Sequence, residues 1–219
     1  LNQIYELKFK EQAIHHAKDK AELEIALKKA KLIAGSQHSI NKYALPKREI
    51  FAKRLEFIVG SDDLGVVKSG EMIRYGEVKI NAETCTLCLS CVGACNVSAL
   101  VADKKTNSIL FNPSVCTACG YCELSCAEKN TISLEVGKLA LKPEFFVYSE
   151  LAHDELFACV ECGKEFATKK AVEKIAAIMQ PRFGNDRAKI KSLYCCADCK
   201  AKIMVQAQLN AMKEDLLNG

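Results

Sequence analysis

Two cysteine runs constrain this chain more than any other feature. Cys85, Cys88, Cys91 and Cys95 form the first, and Cys116, Cys119, Cys122 and Cys126 form the second. Each reads C-x2-C-x2-C-x3-C. Three thiolates three residues apart on a tight loop can each face one corner of an iron–sulfur cube, while the fourth lies farther along and reaches elsewhere. Zinc sites rarely space three cysteines this way on one loop. A disulfide framework suits a short secreted chain, and 219 residues with 13 cysteines and no signal segment do not read as one.

The two runs are halves of an internal repeat. Val78-Lys79-Ile80-Asn81 precedes Cys85 as Ile109-Leu110-Phe111-Asn112 precedes Cys116. Ala99-Leu100 follows the first run and Thr131-Ile132 the second, with one extra residue in the second half. Each half fits a short apolar strand, a cysteine loop, a turn of helix and a second strand. Two such halves can pack face to face.

On these motifs, residues 78–134 resemble a bacterial-type ferredoxin with two 4Fe-4S clusters. The resemblance implies crossed ligation: Cys85, Cys88, Cys91 and Cys126 on cluster 1, and Cys116, Cys119, Cys122 and Cys95 on cluster 2. One departure stands out. The family's proline after each fourth cysteine is replaced by Asn96 and Ala127. Each keeps a backbone N–H that a proline would remove, and such a donor aimed at a cluster sulfur tends to raise the reduction potential.

A second cysteine pattern follows. Cys159-x2-Cys162-Gly163-Lys164 is a knuckle, and Cys196-x2-Cys199 opens an amphipathic helix. A knuckle paired with two ligands at a helix start looks like a treble-clef or zinc-ribbon finger, so Cys159, Cys162, Cys196 and Cys199 are expected to hold one structural Zn2+. A rubredoxin-like iron, a third iron–sulfur cluster and a redox dithiol are the other readings of this site. Cys195 reads as a buried free thiol, with its exchange for Cys196 as ligand the alternative. Between the pairs, residues 168–180 are predicted helical, capped by Thr168, with Val172, Ile175, Ala176 and Met179 as the inner stripe and Pro181 and Gly184 as the stop.

Upstream, residues 1–34 are predicted as one helix, with Leu23, Leu27, Ala30 and Ala34 on one stripe and Gly35 as its stop. His15 and His16 read as surface residues. Residues 36–45 are loop-like, and Pro46 opens a second helix that presents Phe51, Leu55 and Ile58 and ends at Gly60. Residues 66–80 are expected as short extended segments. Tyr121 should pack near the second cluster. Phe145 and Phe146 should anchor the connector to one of the metal domains.

The expected organisation is therefore α+β: a helical segment 1–65, a pseudo-twofold dicluster ferredoxin domain 66–135, a connector 136–148, and a small zinc-finger-like domain with four cysteine ligands and helices, 149–219. Net charge is +4. The first 57 residues carry 12 Lys/Arg against 7 Asp/Glu, and residues 83–135 carry 3 against 5. The basic face reads as a solvated helix surface, and no interleaving of basic and aromatic residues suggests nucleic-acid binding. No apolar run is long enough to span a membrane. Reduced cysteines without an export signal suggest the cytoplasm.

No nucleotide loop, activated nucleophile or open metal position is legible, so no catalytic residue is expected. The leading expectation is electron transfer through two 4Fe-4S clusters between an oxidoreductase and a redox protein partner such as a dehydrogenase. The alternatives are an electron-relay fragment of a larger iron–sulfur oxidoreductase, suggested by the missing initiator Met, and a metal-stapled scaffold for protein or nucleic acid. The C-terminal Cys-Gly-Lys and Cys-Cys-x2-Cys-Lys pattern also resembles ferredoxin-domain proteins associated with formate dehydrogenases.

Overall fold

The computed structural model describes residues 2–10, 17–29, 46–70 and 73–218. His15, His16, Ala30, Ala34, Gly35 and the loop 36–45 lie outside the described residues. The chain runs through α1 (Asn2–Phe9), α2 (Lys20–Lys29), α3 (Lys47–Val59), β1 (Val66–Lys68), β2 (Gly76–Ile80), α4 (Ser90–Gly93), β3 (Leu100–Asp103), β4 (Ser108–Phe111), α5 (Tyr121–Leu124), β5 (Ile132–Val136) and β6 (Lys138–Ala140). A 3-10 turn, Pro143–Phe146, leads to β7 (Ser149–His153), β8 (Leu156–Ala158), β9 (Glu165–Thr168), α6 (Lys169–Phe183), α7 (Arg187–Ser192) and α8 (Ala197–Asn218). Helix and strand are mixed throughout.

The repeat seen in the sequence recurs as paired halves. β2 pairs antiparallel with β5, Val78 opposite Leu134, and β3 pairs antiparallel with β4, Val101 opposite Leu110. Each half thus lends its first strand to one ribbon and its second to the other. Val78, Leu100, Ile109, Phe111 and Ile132 point inward and bury one core together with Cys85, Cys91, Cys116 and Cys122. Asn81 and Asn112 make the same turn in the two halves. Their Oδ1 atoms accept from the amides two residues on, Glu83 and Ser114, at 3.0 Å each.

Segments outside the repeat attach to it on several sides. β7 adds to β4 as a third antiparallel strand, so residues expected at the head of the C-terminal finger lie in the dicluster sheet. β1 pairs with β6, which lies in the expected connector. A second core gathers Ile4 of α1, Leu55 and Val59 of α3, Tyr75, Leu139, Leu141, Phe145 and Phe146. Phe145 and Phe146 therefore anchor the connector to the N-terminal helices, and Asn112 Nδ2 donates to Phe146 O at 3.1 Å to tie that core to the second cysteine loop.

Several helix expectations need correction. α1 ends at Phe9 and α2 begins at Lys20, with Lys10 in the left-handed region, so residues 2–29 do not form one helix. Leu27 on α2 faces solvent. In α6 Val172 and Ala176 are buried, but Ile175 is half exposed. Pro181 lies inside the last turn of α6 rather than beyond its end, and Gly184 alone is the stop. Thr168 occupies the N-cap position without a side-chain cap bond; the buried Asp154 does that work, its Oδ2 accepting from Lys170 N at 2.9 Å.

Candidate metal centres

The cysteine loops fold through alternating left-handed residues. Leu87 (φ 49°) matches Ala118 (φ 53°), Leu89 (φ 61°) matches Gly120 (φ 80°), and Ser98 (φ 54°) matches Asn130 (φ 59°). Such alternation curls the backbone so that successive N–H groups face inward, a concavity suited to negative charge. The amides of Leu100 and Ala118 lie 3.4 Å from Cys95 Sγ and Cys116 Sγ. Asn96 and Ala127 make no such bond among the described residues.

Two small cavities result. Cys85, Cys88, Cys91 and Cys126 line one, with Ile80, Leu89, Ile109 and Ile132. Cys116, Cys119, Cys122 and Cys95 line the other, with Val78, Val97, Leu100 and Leu134. Each cavity takes three cysteines from one run and the fourth from the other. Exposure is mirrored as well. Cys85 and Cys116, and Cys91 and Cys122, are buried; Cys95 and Cys126 are half-buried; Cys88 and Cys119 are exposed.

Burial pushes the thiols of Cys91 and Cys122 up to about 11, and raises those of Cys85 and Cys116. Against its own burial, the Ser90 hydroxyl and N–H lower Cys88. A cationic core bound among such thiols would deprotonate them, and the inward amides would share the resulting charge. Four sulfurs, apolar walls and converging N–H groups fit a thiolate-bound 4Fe-4S cluster in each cavity.

The third cysteine set also converges. The Sγ atoms of Cys159, Cys162, Cys196 and Cys199 all lie within 4.8 Å of one another, and Cys162 Sγ is 3.7 Å from Cys196 Sγ. A tetrahedron with metal–sulfur bonds of about 2.3 Å has edges of about 3.8 Å. β8 and β9 form a hairpin around the knuckle, whose turn closes through Gly163 N to Cys159 O at 2.8 Å with Gly163 at φ 73°. Against burial, the N–H groups of Cys196, Glu161 and Cys162 bring Cys159 down to about 6. Cys195 is not one of these four sulfurs: its Sγ is buried, donates to Lys191 O at 3.3 Å and lies in contact with the Cys159 thiol.

Charged and polar side chains from outside the repeat also reach the cysteine loops, and the sequence offered no signal for them. Arg48 of α3 donates from Nη2 to Cys116 O at 2.5 Å. Thr168 Oγ1 donates to Thr86 O at 2.8 Å, Lys170 Nζ to Ala82 O at 2.6 Å, and Lys174 pairs with Glu128. These contacts join residues 46–88 positions apart, which local periodicity does not encode. Tyr121, expected to pack, is 55% exposed beside Leu124, itself 83% exposed.

Residues 77–127 match the family of the 4Fe-4S dicluster domain, so the chain carries such a domain. The chain is similar to the hydrogenase-2 operon protein HybA of Escherichia coli O157:H7, 37% identical over 70 residues that make up 31% of this chain and 20% of that protein. The match to HybA of Shigella flexneri has the same extent. It is also similar to the polyferredoxin-like subunit of an aliphatic sulfonate oxidoreductase of Pyrococcus furiosus, 42% identical over 48 residues, 21% of this chain and 28% of that one. The chain thus spans between a fifth and under a third of the length of these relatives. Among the described residues, no helix is long and apolar enough to cross a membrane.

Proposed function

We propose that this chain is an electron-transfer module that binds two 4Fe-4S clusters and passes electrons between an oxidoreductase and a redox protein partner. Cys85, Cys88, Cys91 and Cys126 hold one cluster, and Cys116, Cys119, Cys122 and Cys95 the other. The observation that carries this reading is the pair of mirrored cavities, each lined by three cysteines of one run and the last cysteine of the other. When bound, each cluster supplies a centre that takes up and returns one electron.

The chain's own residues set the terms of that exchange. Apolar walls exclude water, the buried thiolates share one core, and inward N–H groups favour the more negative state. Four protein sulfurs per cavity leave no metal position for substrate, which supports a relay rather than a catalytic centre. The cysteines Cys159, Cys162, Cys196 and Cys199 hold a structural Zn2+, a role supported by the closed four-sulfur geometry. The proposed setting is a reducing compartment such as the cytoplasm.

A second reading is an electron-relay part of a larger iron–sulfur oxidoreductase. It is favoured by the likeness to a protein described as an oxidoreductase subunit. A dehydrogenase, a hydrogenase or a sulfonate oxidoreductase would each be a fitting partner class under either reading.

An anaerobic reductive titration tests the relay. The protein should take up about two electrons per chain, one per cluster, and give them back to an oxidant without loss of iron. Uptake with bleaching and release of iron would assign the clusters a structural role instead.

A further inference from the structure

The two flanking segments each bring one cation onto one cysteine loop. Arg48, from α3, lies on the second loop. Its Nη2 donates to Cys116 O at 2.5 Å and to Arg74 O at 2.6 Å, and its guanidinium carbon sits 3.7 Å from the centre of the Tyr75 ring. Its Nε is buried without a partner. No carboxylate pairs with it among the described residues. Lys170, from α6, lies on the first loop. Its Nζ donates to Ala82 O at 2.6 Å, three residues before Cys85. The repeat makes Ala82 the counterpart of Pro113, so Lys170 docks three residues earlier on its loop than Arg48 does on Cys116.

A half-buried guanidinium without a carboxylate needs another source of negative charge. Neutral carbonyls and an aromatic face supply part of it. One of those carbonyls belongs to Cys116, a residue of the adjacent cavity. Burial disfavours the charged form of Arg48, and Tyr75 and Cys116 work against that loss. Lys174, by contrast, is already neutralised by Glu128.

We propose that Arg48 and Lys170 are positioning residues that tune the two clusters separately, Arg48 raising the reduction potential of the cluster on Cys116, Cys119, Cys122 and Cys95, and Lys170 that of the cluster on Cys85, Cys88, Cys91 and Cys126. The inference rests on the reading of both cavities as cluster sites. Four thiolates around a 4Fe-4S core carry a net negative charge that grows by one on reduction, so a fixed cation stabilises the reduced form more than the oxidised form. Arg48 is the stronger influence, because its guanidinium is held between Tyr75 and two carbonyls and is screened less by salt. The N-terminal helices and the C-terminal segment are then parts of the redox machinery, each addressing one cluster.

The test is a potentiometric titration followed by electron paramagnetic resonance on the full chain carrying both clusters. Arg48→Met keeps the apolar stem and removes the charge. It should lower the reduced-to-oxidised ratio of one cluster about tenfold at fixed potential, which is about 59 mV for a one-electron couple. Lys170→Met should lower the other by a smaller factor, and the double variant should lower both. Arg48→Lys, which keeps the charge, should hold the first potential near that of the unsubstituted protein. Two clusters whose potentials stay fixed, or move together under either single substitution, would overturn the inference alone. So would an Arg48→Lys protein that falls as far as Arg48→Met. An unsubstituted protein without two cluster signals would overturn the cluster reading beneath it, and the inference with it.

Discussion

Two glycines show how the cysteine loops depend on single residues. Gly76 lies where β2 passes the second loop. A Cβ there would sit 2.5 Å from Leu134 Cδ1, 3.1 Å from Ala118 Cβ and 3.3 Å from Ala118 Cα. Gly76→Ala should therefore push against the loop between Cys116 and Cys119, at about 1–3 kcal/mol for an overpacked site. Gly120 has φ 80° and lines the second cavity between Cys119 and Cys122, so a side chain there is strained by the backbone. Gly120→Ala should cost about 1–2 kcal/mol, the penalty of a left-handed residue with a side chain. Both should lower the thermal unfolding midpoint of the loaded protein and perturb the spectrum of the cluster on Cys116, Cys119, Cys122 and Cys95. An unchanged midpoint and spectrum in either variant would contradict this dependence. At this scale the sequence was informative wherever the chemistry is local. The cysteine spacing and Gly163 act within a few residues. It was silent on Leu87 and Leu89, because nothing in a leucine announces a left-handed backbone.

The helix α6 is held to the first cysteine loop by contacts at its start. Asp154 accepts from Lys170 N and Glu155 N, Thr168 Oγ1 donates to Thr86 O, and Lys170 reaches Ala82 O. Asp154→Ala removes the cap and should cost about 1 kcal/mol. Amide exchange should then quicken in the first turn of α6 and in the Thr86 loop together. Faster exchange in α6 with an unchanged Thr86 loop would separate the two elements. The four strands of the repeat were legible from their short apolar runs ahead of and behind each cysteine loop. The pairings of β1 with β6 and of β7 with β4 were not, since register between distant strands depends on packing partners rather than on local pattern. Thr168 misled for a related reason. Its identity and position suit a cap, but its hydroxyl finds a better-placed carbonyl across the fold, and Asp154 fills the vacated role.

Across the whole molecule, the cysteine sets and the flanking segments form one connected design. One core contains both cysteine loops, a second ties the N-terminal helices to the connector, and a third surrounds Cys159, Cys195 and Cys196. Crossed ligation predicts an exchange between halves. Cys126→Ser, in the second run, should deplete the cluster of the first run, leaving about four iron and four sulfide per chain while the cluster with Cys95 remains. Cys195→Ser should leave the zinc content unchanged, because Cys195 Sγ bonds to Lys191 O and is not one of the four converging sulfurs. The central claim is tested most directly by iron, acid-labile sulfide and zinc measured on one anaerobically purified sample. About eight iron, about eight sulfide and about one zinc per chain are the predicted contents. Iron near one without sulfide, or zinc near three, would contradict the account.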